Sequence, residues 1–117
     1  MNKESKEKEI KKEKTKLQKI FKDLPEDVKS VSEGLVQNAA FMFVTLQELQ
    51  EEIKEKGAII ECKSGNGFDT VKDNPAQKAY TTMISRYTVI IKQLTDLLPN
   101  PNETTTGAEL LNFIQND

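Results

Sequence analysis

The feature that most constrains this chain is a long, regular stripe of apolar residues in its first half. Between Val28 and Ile53, apolar side chains recur at steps of three and four residues, which keeps them on one face of an α-helix about 45 Å long. Lysines followed by Gly57 are typical of a helix end. Gly34, inside the helix, costs about 1 kcal/mol there and marks a close helix approach or a bend. The stripe consists of Val28, Val31, Leu35, Ala39, Met42, Leu46, Leu49 and Ile53.

A second apolar stripe of the same kind follows over residues 76–98. Asn74–Pro75 supplies a helix cap and a first helical residue, and Pro99 ends the helix. The segment 58–71 between the two helices is β-branched around a glycine turn, which predicts a small β-hairpin. Because two strands alone are only marginally stable in water, we expect the hairpin to lean on the helices.

These elements predict a mainly α fold: a long antiparallel helical hairpin with the small β-hairpin between its two long helices. A flexible basic N-terminal helix precedes it, beginning near Lys3 and gaining an apolar face only from Leu17 onward. Thr106 and Glu109 form a capping box that opens a short C-terminal helix. The predicted organisation of the 117 residues is a partly frayed basic arm (1–23), a helix, hairpin and helix core (24–98), and a Pro-rich turn with the last helix (99–117).

Charge is distributed unevenly between the arm and the rest of the chain. Residues 1–23 contain nine lysines and five acidic residues, a net charge of +4, whereas residues 24–117 have a net charge of −6. This asymmetry indicates contact with nucleic acid or another acidic surface, although a solvated helical arm explains it as well. The candidate nucleic-acid-binding residues are Lys3, Lys6, Lys8, Lys11, Lys12, Lys14 and Lys16.

The composition argues against an enzyme. Histidine is absent and there is one cysteine, so Ser/His/Asp and Cys/His nucleophile systems, imidazole metal sites and disulfides are excluded. Carboxylates at residues 48, 51, 52 and 55 share a helical face, but a magnesium site would need opposing carboxylates, and the second long helix offers only Asp96. We therefore expect a solvated acidic face, with no metal or cofactor.

Two further features have a structural and a functional interpretation. The glycine turn at 64–67 lacks the Gly-Lys-Ser/Thr of a phosphate-binding loop and is followed by a strand pattern, so we interpret it as a turn only. Arg86, the one arginine, forms an ion pair with a glutamate of the first long helix or binds a phosphate or a partner's carboxylate.

Some apolar residues lack an obvious partner within one helical hairpin, which predicts self-association. The residues of the last helix could fold back or pack on a neighbouring chain. The candidate interface residues are Phe41, Phe43, Val44, Val89, Leu110, Leu111 and Ile114. The longest apolar run, residues 39–44, is too short to cross a membrane. No export signal is visible and the lone cysteine suits a reducing compartment, so we expect a cytoplasmic protein.

Most of the chain, from Lys14 to Pro99, resembles phage terminase small subunits, particularly the short small-terminase-like proteins of phages and prophages of Gram-positive bacteria. The resemblance rests on the order and spacing of several segments: an acidic helix end, Lys56–Glu61, a glycine turn, and Lys72–Ala76 opening a long helix. Further matching segments are Lys16–Phe21, Asn38–Met42 and Tyr87–Leu94.

The resemblance implies a non-catalytic DNA-packaging component. Such subunits assemble into rings, recognise viral double-stranded DNA and stimulate a large terminase subunit, here in the cytoplasm of a bacterial host. No helix-turn-helix spacing is visible, so we expect any DNA contact to involve the lysine arm and the DNA backbone. The alternatives are a prophage-encoded helical interaction protein with no DNA contact and a magnesium-dependent nucleotide hydrolase, for which we expect no turnover.

Overall fold

A computed structural model describes residues 2–99 apart from Ser64, Asn66 and Phe68. It confirms the mainly α fold, with two long helices separated by an antiparallel β-hairpin and preceded by a third helix. The predicted C-terminal helix, residues 106–114, lies outside the described residues. The elements are α1 (Lys3–Ile20), α2 (Glu26–Lys56), β1 (Ile59–Lys63), β2 (Asp69–Asp73) and α3 (Pro75–Asp96).

Charges and glycine define the ends of α2. Glu26 and Asp27 occupy the first turn and lysines the last turn, where each sign of charge is favourable to the helix dipole. The chain then leaves the helix at Gly57, whose φ of 85° is in the left-handed region and therefore favours glycine. The Gly57 backbone N–H still donates to the carbonyl of Ile53 at 2.7 Å, so the last turn is closed.

Helices α2 and α3 pack antiparallel along their apolar stripes. Gln50 near the end of α2 donates to the hydroxyl of Tyr80 near the start of α3 at 3.1 Å. Further along, the rings of Phe43 and Tyr87 lie 6.4 Å apart. Their shared core is completed by residues from α1: the buried cluster consists of Leu17, Phe21, Val36, Ala39, Leu46, Tyr87, Ile91, Leu94 and Leu98.

Helix α1 folds back antiparallel on α2. Leu17 and Phe21 are almost fully buried, so the basic N-terminal segment shares one core with the two long helices. One residue of the predicted α2 stripe does not face this core: Val31 is 64% exposed. That part of the prediction is wrong, because α1 and α3 cover other sides of α2 and leave Val31 on its outer face.

The β-hairpin pairs Ile59 with Asp73 and Cys62 with Thr70 in an antiparallel register. Asn74 joins its base to the helices: its side chain accepts from the Ala76 backbone N–H at 3.0 Å and donates to the Gly57 carbonyl at 2.8 Å. Among the described residues of the hairpin, the hydrogen bonds that tie it to the helices lie at this base, as expected of a hairpin that leans on them. On one face, Ile59 and Val71 are exposed over more than half of their surface.

Candidate nucleic-acid interface

From Lys8 to Lys22, helix α1 and the turn after it separate their charges by face, whereas Glu4, Glu7 and Asp23, just outside this stretch, are exposed. Between Lys8 and Lys22 the sequence has seven lysines and two acidic residues. Glu13 is buried and Glu9 is half-buried, both on the side that packs on the protein. We call the exposed lysines of this stretch the outer lysine row: Lys8, Lys11, Lys12, Lys19 and Lys22. The exposed side of this stretch therefore carries only positive charge.

The inner face of α1 holds the row in a fixed position on the protein. The Lys6 ammonium lies 2.7 Å from a carboxylate oxygen of Glu48 and 4.8 Å from the centre of the Phe41 ring. Near the other end of α1, the Gln18 amide donates to Glu33 at 3.1 Å. Together with the buried apolar residues of α1, these contacts attach the helix to α2 along most of its length.

The structure divides the seven lysines predicted to bind nucleic acid into three groups. Lys6 contacts α2, and Lys16 lies 3.2 Å from the Glu13 carboxylate, so both have partners within the chain. Lys14 is half-buried. The four that remain exposed are Lys3, Lys8, Lys11 and Lys12. The sequence prediction missed Lys19 and Lys22, although the apolar spacing of residues 17–24 already indicated which face of the arm was outward.

An open groove runs between α1 and α2 beside the outer lysine row. Lys11, Lys14 and Thr15 line it from α1 and Gln37 lines it from α2, and the Glu7 carboxylate lies at one end. Apart from this carboxylate, the polar side chains that line the groove can each donate a hydrogen bond. Ammonium, hydroxyl and amide donors are the groups that proteins use to contact DNA phosphates, so the groove extends the surface available to an anionic backbone.

Glu13 is a buried carboxylate, with only 3% of its surface exposed. Burial raises the pKa of Glu13 above its ordinary value, although the hydrogen bond and charge of Lys16 partly oppose this rise. The pKa of the Tyr87 phenol on α3 is also raised. Burial is the larger cause, and the charge of Glu13 is the smaller one. Glu13 therefore lies in a site that disfavours its ionised form.

The predicted interface residues occupy different environments. Val44 is fully buried, and half-buried Phe43 packs against the core and Tyr87. The prediction that these two lack a partner within the chain is therefore wrong, because three helices and not two form the core. Phe41 and Val89 are exposed, at 45% and 56%. Leu110, Leu111 and Ile114 lie outside the described residues.

Two carboxylates of the acidic group near the end of α2 lie beside lysines: Glu51 pairs with Lys54 at 3.4 Å, and Glu52 pairs with Lys56 at 2.9 Å. Among the described residues, no three acidic, cysteine or histidine side chains come close enough to hold a metal ion. Arg86 is exposed on α3. No ion pair links it to any residue in the described part of the chain, including the α2 glutamates.

In the part of the chain that the structure describes, no helix is both long and apolar enough to cross a membrane. Comparisons of the chain with protein-family models, with curated proteins and with solved structures found no match.

Proposed function

We propose that this chain is a non-catalytic phage DNA-packaging component similar to terminase small subunits. In this proposal the protein self-associates in the cytoplasm of a bacterial host, contacts double-stranded viral DNA and assists a large terminase subunit. The observation that carries the DNA contact is the outer lysine row on α1. The resemblance in the middle of the sequence supplies the packaging context.

The row has dimensions suited to a DNA backbone. Lys8 and Lys19 are separated by about 16 Å along the helix axis. Phosphates on one DNA strand are spaced by about 3.4 Å along the duplex, so the row spans about four or five of them. A single helix face that carries only lysines positions the protein on phosphates and offers no bidentate base contact. We therefore expect little sequence preference from α1.

Salt dependence tests this contact. Binding to a short DNA duplex would be followed by fluorescence anisotropy at several salt concentrations, for the full chain and for the triple variant Lys8→Gln, Lys12→Gln, Lys19→Gln. If four or five phosphates are contacted, the logarithm of the binding constant falls with that of the salt concentration with a slope of about −4. The triple variant should reduce that slope to about −1 or −2, because three charges are lost.

A charge-matched control separates the row from overall charge. Lys54, Lys72 and Lys78 are exposed on α2, β2 and α3, and replacing all three with glutamine changes the net charge equally. This control should keep the wild-type slope. Equal slopes for the two triple variants, or no binding by the full chain at low salt, would refute the DNA contact.

The second candidate function is a helical interaction protein without a DNA contact. The exposed apolar side chains Val31 and Phe41 on α2 and Val89 on α3 favour it, because apolar surface left in solvent is typical of protein interfaces. Self-association without salt-dependent DNA binding would support this function over the first.

A further inference from the structure

The outward side of α3 carries three basic residues on one face. Lys78, Arg86 and Lys92 are all exposed, and at about 100° per residue they lie within an arc of about 120°. None of the three has an ion-pair partner among the residues that the structure describes. The one acidic residue of α3 is Asp96, at the very end of the helix. We call Lys78, Arg86 and Lys92 the α3 basic face.

An open hollow lies between the first two of these charges. Ala79 and Met83 contribute apolar surface to it, and no acidic side chain of the described residues lines it. A hollow that is apolar inside and basic at its edges suits an apolar side chain flanked by carboxylates. The residues that line it are Pro75, Lys78, Ala79, Thr82, Met83 and Arg86.

The segment that follows α3 has the matching composition. Residues 100–117, outside the described part of the chain, contain three acidic residues and no lysine or arginine. The acidic residues are Glu103, Glu109 and Asp117. The segment also contains the apolar residues of the helix predicted from the capping box at Thr106, which are Leu110, Leu111, Phe113 and Ile114.

The acidic residues of this segment repeat the spacing of the α3 basic face in reverse. Along α3 the three basic residues are separated by eight and then six positions, and along the segment the three acidic residues are separated by six and then eight. A chain that folds back antiparallel inverts the order of its second half, so a single register sets every acid opposite a base. The pairs are Lys92 with Glu103, Arg86 with Glu109, and Lys78 with Asp117.

The connection is long enough for this register. Lys92 lies about 9 Å before Leu98 along the helix axis, and the five residues from Leu98 to Glu103 span about 16 Å when extended. In the same register Asp96 lies opposite uncharged Pro99. A segment tethered this closely has an effective concentration of about millimolar at the face beside it, which favours its own chain over a neighbouring copy.

We propose that residues 103–117 fold back antiparallel on the α3 basic face of the same chain. The register sets Phe113 opposite Thr82, so its ring covers the hollow, while the acidic side chains pair with the basic ones at the edges. Glu109 has two carboxylate oxygens, and can therefore complete the capping box with one and accept from Arg86 with the other. We call this arrangement the α3 contact. It depends neither on DNA binding nor on self-association.

Cysteine cross-linking in a Cys62→Ser background tests the register. Ser85 is exposed and lies opposite Leu110 in the proposed register, so the double variant Ser85→Cys, Leu110→Cys should form a disulfide within one chain under mild oxidation. The matched control is Glu7→Cys, Leu110→Cys. Glu7 is exposed at a similar height in the bundle, because α1 and α3 contact the same stretch of α2 there, but it lies on α1. Equal cross-linking by the two pairs, or disulfides that join two chains, would overturn the proposal.

Charge reversal tests the ion pairs in the same double variant. Adding Lys78→Glu should slow disulfide formation by about threefold or more, because a pair is lost and a repulsion replaces it. Adding Asp117→Lys as well should restore the rate. Lys54→Glu, at an exposed position of α2, makes the same change of charge and should leave the rate unaltered. Circular dichroism verifies that each variant is folded. An unchanged rate for Lys78→Glu, or no recovery with Asp117→Lys, would refute the register.

The α3 contact and the DNA contact fail separately, since cross-linking is measured without DNA. If the outer lysine row variant keeps the wild-type salt slope while Ser85→Cys, Leu110→Cys cross-links within one chain, the DNA contact is refuted and the α3 contact stands. If the salt slope depends on the row while this pair cross-links no faster than its control, the α3 contact is refuted and the DNA contact stands.

Discussion

Replacing Gly34 with alanine should stabilise the folded monomer. Gly34 is the ninth residue of α2, well inside the helix, and no atom would lie within 4 Å of the added methyl group. The change therefore acts only through helix propensity and the lower entropy of the unfolded chain. We expect a gain of about 0.5–1 kcal/mol, which for a folded body of about 100 residues raises Tm by about 2–8 °C.

Gly57→Ala is the matched comparison and should have the opposite sign. Gly57 ends the same helix with a φ of 85°, where an L-residue is strained by about 1–3 kcal/mol. Thermal unfolding of both variants would be followed by circular dichroism at concentrations low enough to keep the chain monomeric. A lower Tm for Gly34→Ala under these conditions would refute the conclusion that the position is free of packing and conformational constraint.

Three further predictions concern buried residues. Phe21→Ala removes a nearly fully buried ring that joins α1 to the core. It should lower the free energy of unfolding, measured in urea, by about 3–5 kcal/mol. A loss below about 1 kcal/mol would mean that α1 is not packed there. Burial raises the pKa of Glu13 in the folded state above its ordinary value of 4.5. The resulting contribution to the free energy of unfolding is therefore fully present below pH 4.5, and it is lost as the pH rises through the raised pKa. Glu13→Gln should thus gain stability relative to wild type as the pH rises above 4.5, and parallel pH profiles would contradict this. Asn74→Ala removes a helix cap and the bond to the Gly57 carbonyl, and should cost about 1–3 kcal/mol. Asn74→Ser keeps a capping oxygen without the bond to Gly57 and should lose less; equal losses would assign the whole effect to the Gly57 bond.

Hydrophobic periodicity predicted the positions of the long helices because their stripes continue over many turns. Ala39 and Leu46 are buried as the pattern requires. The same pattern failed for Val31 and Val44, since periodicity gives the direction of one face and not the number of neighbours. Val44 shares the side of α2 that holds Glu33 and Glu48, which α1 contacts.

The candidate site was predictable as a segment but not as a surface. Counting charge located a basic arm, yet counting cannot separate Lys6, which lies against Glu48, from Lys19, which is exposed. That distinction requires knowing which face of α1 is buried, and the arm has few apolar residues before Leu17. Glu13 is the clearest example: acidic residues are seldom buried unless paired, and only the docking of α1 buries its carboxylate.

Lys6 links the outer lysine row to the rest of the protein. Its ammonium pairs with Glu48 of α2 and also lies over the Phe41 ring. Loss of Lys6 should therefore weaken DNA binding, because α1 would be held less firmly on α2.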